Sequence, residues 1–224
     1  MIKYYKAKLS THIADNKFKY LLSIISLLVG ISIGIANASK AEASAVSYID
    51  TFFSSYIIGG TSSSSVFFKS VLLNLRTFGI IWLSGWFVWL VPLNFLEVGA
   101  KGYSIGYAYT FFILNEHLKG LAFSLITLLL QNMLVIPSIV ICSVIQLNFA
   151  IKFDKVYKFQ ALYKERKRLI IGNMIILAVI LILLLICGYI EGFITPFLLK
   201  FMAWYKNLRK IQISSCQNLR YYVE

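Results

Sequence analysis

The sequence predicts an all-α protein that crosses a membrane several times. The mean hydropathy is +0.76, and hydrophobic residues make up 59% of the chain while charged residues make up only 14%. Four long runs carry no charged side chain: Tyr20–Ser39, Thr77–Leu96, Leu121–Ile151 and Leu169–Ile190. A helix of about 20 apolar residues is long enough to cross the hydrocarbon core of a bilayer. We therefore expect a polytopic transmembrane helical bundle of about five spans.

The distribution of basic residues predicts the orientation of the bundle. Residues 1–19 hold five lysines, and the segment Lys152–Arg168 holds seven basic residues. The loop from Ser39 to Val71 has only Lys40 and Lys69, which Glu42 and Asp50 balance. Because basic loops stay in the cytoplasm, the basic N-terminus (1–19) and the 152–168 loop are expected inside and the 39–71 loop outside.

With the N-terminus in the cytoplasm, residues 20–200 are expected to form a transmembrane domain. The first run is too long for the apolar part of a secretory signal, so we interpret it as a retained span. The third span is short, and residues 115–119 are expected to form an outward-facing turn after it. The predicted spans are Tyr20–Ala38, Leu72–Leu96, Gly102–Leu114, Leu121–Ile151 and a fifth that begins at Leu169.

Two further features concern the outer side of the membrane. In residues 46–57 apolar side chains recur at helical spacing opposite serines and Asp50, which predicts an amphipathic helix on the outer surface. An odd number of spans also places the basic tail, residues 201–224, outside. That tail conflicts with the preference of basic segments for the cytoplasm, but the N-terminus and the 152–168 loop agree with each other.

No pattern in the chain indicates catalysis, a metal or a cofactor. The three cysteines, Cys142, Cys187 and Cys216, lack the paired spacing of a metal site or a disulfide framework. Phosphate loops, metalloprotease motifs and nucleophile elbows are also missing from the sequence. The net charge of +13 is expected to contact lipid headgroups, and no nucleic-acid partner is expected because the basic loop carries no aromatic stacking platform.

Glu191 is the first candidate functional residue, because it is an acid in an otherwise apolar segment. It lies near the end of an apolar run, about 33 Å along the helix from Leu169, and so at the outer membrane boundary. The carboxylate either snorkels into the headgroups or pairs inside the bundle, since ionisable groups within a membrane are costly. Arg76 is expected near the same face and is a candidate partner. Pro196 is expected to redirect the chain along the membrane surface.

Other candidates are structural in character. The adjacent amides Gln131 and Asn132, followed by Pro137, predict hydrogen bonds between helices and a kink, or else the lining of a cavity. Three glycine pairs at a spacing of four predict close helix contacts, within the chain or between two copies of it. These pairs are Gly30 with Gly34, Gly102 with Gly106, and Gly188 with Gly192.

Taken together, these stretches resemble the stage II sporulation protein M family. The resemblance rests on Gly30–Gly34, Ile81-Trp-Leu-Ser-Gly85, Lys101-Gly-Tyr-Ser-Ile-Gly-Tyr107, Gln131-Asn132 with Pro137, and Ile190-Glu-Gly-Phe-Ile-Thr-Pro196. It spans about residues 18–200 in order, and it departs from the family pattern at Leu130, where the family has proline. Glu191 belongs to the last of these motifs.

The resemblance implies a non-enzymatic membrane component of a peptidoglycan-remodelling complex. In that family the protein works with stage II sporulation proteins D and P, which are wall hydrolases, at the mother-cell side of the sporulation septum. The complex thins the septal wall so that the forespore can be engulfed. The alternative is a transporter or a permease-like subunit, since broken helices with midplane amides suit transport. Such a subunit would require a partner ATPase, and the basic 152–168 loop is where it would dock.

Overall fold

Five long helices form the bundle in the computed structural model, which describes residues 11–38, 63–124, 130–158, 163–195 and 197. The helices are α1 (Lys17–Ala38), α2 (Ser63–Ser84), α3 (Val91–Ser124), α4 (Leu130–Lys158) and α5 (Tyr163–Tyr189). A 3-10 turn (Val88–Leu90) precedes α3, and a π-helical turn (Ile190–Ile194) follows α5. The residues that the structure describes contain no strand. The prediction of an all-α bundle is therefore confirmed.

Contacts between helices give the direction of each one. Gly30 and Gly34 of α1 lie against Gly99 and Tyr103 of α3, so α1 and α3 run parallel. The Ser23 hydroxyl lies 3.0 Å from that of Ser143, and Lys19 donates a hydrogen bond to Asn148 of the same helix, so α4 runs antiparallel to α1.

Helix α5 pairs with α2 in the opposite direction. The indole of Trp82 donates to the carbonyl oxygen of Asn173 at 3.5 Å, whereas Gly188 lies against Val71 at the other end of α2. One end of the bundle therefore contains the C-terminal ends of α1, α3 and α5 and the N-terminal ends of α2 and α4. This alternation of directions is what the five-span prediction requires.

The α1–α3 contact is the most extensive in the bundle, and glycines create it. A methyl group added at Gly30 would overlap the carbonyl oxygen of Gly99, and one at Gly102 would overlap the carbonyl of Leu27. Gly34 and Gly106 are equally close to the opposite backbone. Two of the three predicted glycine pairs thus let α1 and α3 approach each other within one chain.

The second predicted span was wrong at its inner end. It was expected to continue to Leu96, but α2 ends at Ser84 and the chain turns before α3 begins at Val91. Gly85 disfavours continuation of the helix because it has no side chain to restrict the backbone. Pro92 occupies the first turn of α3, where its missing N–H leaves no hydrogen bond unmade.

The third and fourth predicted spans were also bounded incorrectly. Residues 115–119 were expected to form a turn, but they lie within α3, whose 34 residues extend for about 51 Å. Leu121 therefore belongs to α3, and α4 begins only at Leu130. Gly102 and Gly106 are packed against α1 in the middle of this continuous helix.

Four helices of the described chain are long and apolar enough to cross a membrane: Lys17–Ala38, Ser63–Ser84, Asn132–Tyr157 and Lys164–Ile194. The remaining helix, α3, carries Glu97 and Lys101 and packs against α1, α2 and α4. It is not among these four, so the expected count of about five spans is met by four helices of the described residues. The core is apolar and includes Phe78, Ile81 and Val98, which are buried. The chain is thus a multi-pass membrane protein. The predicted surface helix at 46–57 and the 201–224 tail lie outside the described residues.

Orientation is the first property that can be measured. In a variant whose native cysteines are replaced by alanine, a cysteine at Ser63 should react with a membrane-impermeant thiol reagent added to intact cells. A cysteine at Tyr163 should react only after the membrane is opened, because basic residues hold that end of α5 in the cytoplasm. The reverse labelling pattern would show that the orientation is inverted.

Candidate functional site

The end of α5, where Glu191 lies, has an unusual backbone. The helix widens into a π-helical turn over Ile190–Ile194, and the N–H of Thr195 donates to the carbonyl of Ile190. The Thr195 hydroxyl donates to the same carbonyl at 3.2 Å. Wide turns of this kind are rare and occur often at functional sites. Glu191 is half-buried within the turn.

The positive charge near Glu191 belongs to Lys101 of α3. The Lys101 ammonium lies within electrostatic range of the carboxylates of Glu191 and Glu97 and of the Cys187 thiol. Cys187 is within range of Lys101 and Glu191 in turn. Lys101 is half-buried and Cys187 is fully buried. The structure therefore places two acids, one on α3 and one after α5, within electrostatic range of one cation.

Asn74 holds the ammonium group in this position. The Lys101 Nζ donates to the Asn74 Oδ1 at 2.9 Å. The Asn74 amide nitrogen in turn donates to the carbonyl oxygen of Ser70, one turn earlier in α2, at 3.1 Å. Asn74 is 2% exposed, so its amide has a fixed orientation. We define Asn74, Glu97, Lys101, Cys187 and Glu191 as the charged cluster.

The proposed pairing of Glu191 with Arg76 is not what the structure shows. Arg76 is exposed, whereas Asn74 is buried. Two residues along an α-helix differ by about 200° in direction, so Arg76 and Asn74 lie on opposite sides of α2. Helix α2 was expected to supply the cation, Arg76, but it supplies the amide of Asn74 instead. The cation, Lys101, comes from α3.

The third glycine pair positions the end of α5 against α2. A methyl group on Gly188 would lie 2.5 Å from a methyl carbon of Val71, and one on Gly192 would lie 2.9 Å from the Cβ of Phe67. Both distances are shorter than real carbon contacts, so only glycine allows this approach. All three glycine pairs therefore face helices of the same chain, and self-association would need another surface.

Of the two predicted amides of α4, the structure describes the side chain of Asn132. Asn132 is buried and lies close enough to the Tyr109 hydroxyl of α3 to influence its ionisation. Pro137 is exposed within α4, which continues past it. The side chain of Gln131 and the whole of Pro196 lie outside the described part of the structure.

Sequence reasoning missed the residues that complete the cluster. Lys101 was interpreted only as part of a motif, and Asn74 was not singled out. The available signal was a lysine and an asparagine in otherwise apolar helices, since buried polar groups of this kind need partners. Their meeting depends on which sides of α2 and α3 face each other, which no local pattern predicts.

The chemistry of the charged cluster is that of a structural or binding element. It offers a cation, carboxylates, an amide and a thiol at the shared boundary of α2, α3 and α5. Among the residues that the structure describes, no group of histidine, cysteine and acidic side chains could hold a metal ion. The arrangement links three helices through charge and hydrogen bonds.

Comparison with known proteins identifies the family. The family model described as Stage II sporulation protein M matches residues 23–196, a range that contains every member of the charged cluster and all three glycine pairs. No curated protein and no solved structure matches the chain significantly. Because the family model matches well over half of the chain, this membrane protein belongs to the stage II sporulation protein M family.

Proposed function

We propose that this protein is a non-enzymatic anchor for peptidoglycan-remodelling enzymes at the sporulation septum. It holds wall hydrolases that resemble stage II sporulation proteins D and P on the mother-cell side, where the septal wall is thinned before engulfment. The family match over residues 23–196 is the observation that carries this proposal. It supplies the link to sporulation, and the geometry of the bundle then suggests how an anchor would be built.

The geometry supports a rigid scaffold. Glycines place α1 directly against α3 and α5 directly against α2. The charged cluster ties α2, α3 and α5 together in the half of the bundle that contains the end of α5. A hydrolase recruited to the outer face would therefore meet helix ends whose relative positions are fixed. We propose that the charged cluster serves recruitment in this way, by fixing the end of α5.

The anchoring role predicts where the enzymes go in a cell. In sporulating cells that lack this protein, fluorescently tagged D-like and P-like hydrolases should spread around the membrane, and engulfment should fail. Restoring the protein should return both enzymes to the septum. Normal septal enrichment of the hydrolases without it would contradict the proposal.

A second expectation concerns activity. The purified protein alone should leave peptidoglycan intact, because the sequence carries no catalytic motif and the Cys187 thiol of the charged cluster is fully buried, out of reach of a polymeric substrate. The measurement is chromatography of soluble muropeptides after incubation with purified cell-wall sacculi. Release of muropeptides by preparations free of contaminating hydrolases would overturn the non-enzymatic reading.

A further inference from the structure

A second polar region lies at the opposite end of the bundle from Glu191, where the chain turns from α2 into α3. Three amide side chains meet there: Asn94 and Asn173 are 1% exposed and Gln146 is 0% exposed. Asn173 lies about 6 Å along α5 from the start of its apolar run at Leu169. These amides are thus buried at a depth where the surrounding bilayer offers no hydrogen bonds.

The bonds between these side chains leave polar atoms without partners. Gln146 Nε2 donates to Asn173 Oδ1 at 3.0 Å, and Asn94 Nδ2 donates to the carbonyl oxygen of Ser143 at 3.1 Å. Asn94 Oδ1, Gln146 Oε1 and Asn173 Nδ2 then have no hydrogen-bond partner among the described residues. Exchanging the amide ends of Gln146 and Asn173 would still leave one donor and one acceptor, so the result does not depend on how the amides are assigned.

Trp86 and Gly85 show that these unpartnered atoms lie at the turn from α2 into α3, which we call the corner. Trp86 Nε1 is buried and likewise has no partner within the described part of the chain. A methyl group on Gly85 would overlap Gln146 Oε1, so that oxygen lies directly against the turn. The Asn173 carbonyl also accepts a bond from Trp82, one turn before Trp86. Two donors (Asn173 Nδ2 and Trp86 Nε1) and two acceptors (Asn94 Oδ1 and Gln146 Oε1) near the end of α2 are therefore without partners among the described residues.

We propose that this corner is a binding site for internal water. The unpartnered groups include both donors and acceptors, and none of their side chains is charged. A cation would face the N–H groups and an anion would face the carbonyl oxygens, so neither fits. Water donates and accepts at once, and buried water usually forms about three hydrogen bonds to groups that the protein leaves unsatisfied. The site is independent of the anchoring function.

Radiolytic labelling tests this inference. Brief synchrotron irradiation of the full-length protein in lipid nanodiscs produces hydroxyl radicals from bound water as well as from bulk solvent. With a scavenger that quenches radicals in the bulk, oxidation of Trp86 should persist, because its radicals arise from water beside the indole. Oxidation of Tyr157, which is 66% exposed, should be lost. Peptide mass spectrometry measures both residues in one sample.

Variants then connect the labelling to the amides. The double variant Gln146→Met/Asn173→Leu keeps the side-chain shapes but removes the polar atoms, so the scavenger-resistant oxidation of Trp86 should be lost. Gly85→Ala should reduce it by displacing the Gln146 amide, whereas Gly79→Ala, which has open space around it, should leave it unchanged. Loss of Trp86 oxidation with scavenger in the unmodified protein would overturn the proposal, as would undiminished oxidation in the folded double variant.

Discussion

Replacing Gly30 with valine is expected to separate α1 from α3 and to give the largest loss of stability of any single change in the bundle. Even a methyl group at this position would overlap the carbonyl oxygen of Gly99. Overpacking usually costs about 1–3 kcal/mol because side chains can adjust. Here the obstacle is backbone on the opposite helix, so we expect a cost at or above the upper end of that range.

Thermal unfolding of the purified protein in detergent measures this effect. Gly79→Val is the matched control: it makes the same change in α2, and an added Cβ there meets nothing within 4 Å. The control also includes the lower helix propensity of valine, so the difference between the variants isolates the contact with α3. Equal unfolding temperatures for the two variants would show that the α1–α3 approach is not as close as described.

Removing one charge of the Lys101–Glu191 pair is expected to have the second-largest effect. Lys101→Met removes the positive charge that acts on the half-buried Glu191, and Glu191→Gln leaves the ammonium with fewer negative neighbours. Breaking a fully buried ion pair costs about 3–5 kcal/mol. Because both side chains keep some exposure, we expect each single change to cost no more than the lower end of that range.

A double-mutant cycle separates pairing from other effects. Lys101→Met/Glu191→Gln should be more stable than the sum of the single losses predicts, because it removes the unpaired charge as well as the pair. Arg76→Met is the control, since Arg76 is exposed on the other side of α2, and it should change stability little. Additive losses in the cycle would show that Lys101 and Glu191 act independently.

Composition and periodicity predicted the all-α class and the alternating directions of the helices, because apolar length follows from the thickness of the bilayer. About five spans were expected, whereas four helices of the described residues are long and apolar enough to cross a membrane. The same patterns failed at the boundaries. Gly85 and Pro92 end one helix and begin the next within a single uncharged run, so hydropathy alone merged them. Gly102 and Gly106 were correctly assigned to close contact, but the span that contains them was expected to be short and to end in a turn at residues 115–119. In a helix that packs on another, glycine serves the contact and need not end the helix.

The sequence predicted Glu191 and its neighbouring glycines as part of the candidate site, but not Lys101 or Asn74. Glu191 stood out because an acid near the end of an apolar helix is rare, and its neighbours Gly188 and Gly192 fit the contact that they make. Its partner could not be predicted, since Arg76 and Lys101 both lie within helices that reach the same depth. The choice between them depends on which side of each helix faces α5. That is a property of packing, and Asn74 decides it by fixing the position of the ammonium group.

Copurification from sporulating cells tests the anchoring function most directly. The tagged protein is crosslinked in intact cells, purified in detergent and analysed by mass spectrometry, with an unrelated multi-pass protein carrying the same tag as control bait. We expect D-like and P-like wall hydrolases to be enriched over the control. With Glu191→Ala at equal membrane levels, this enrichment should be lost. Enrichment of an ATPase without wall hydrolases would contradict the anchoring function and would favour a transport subunit.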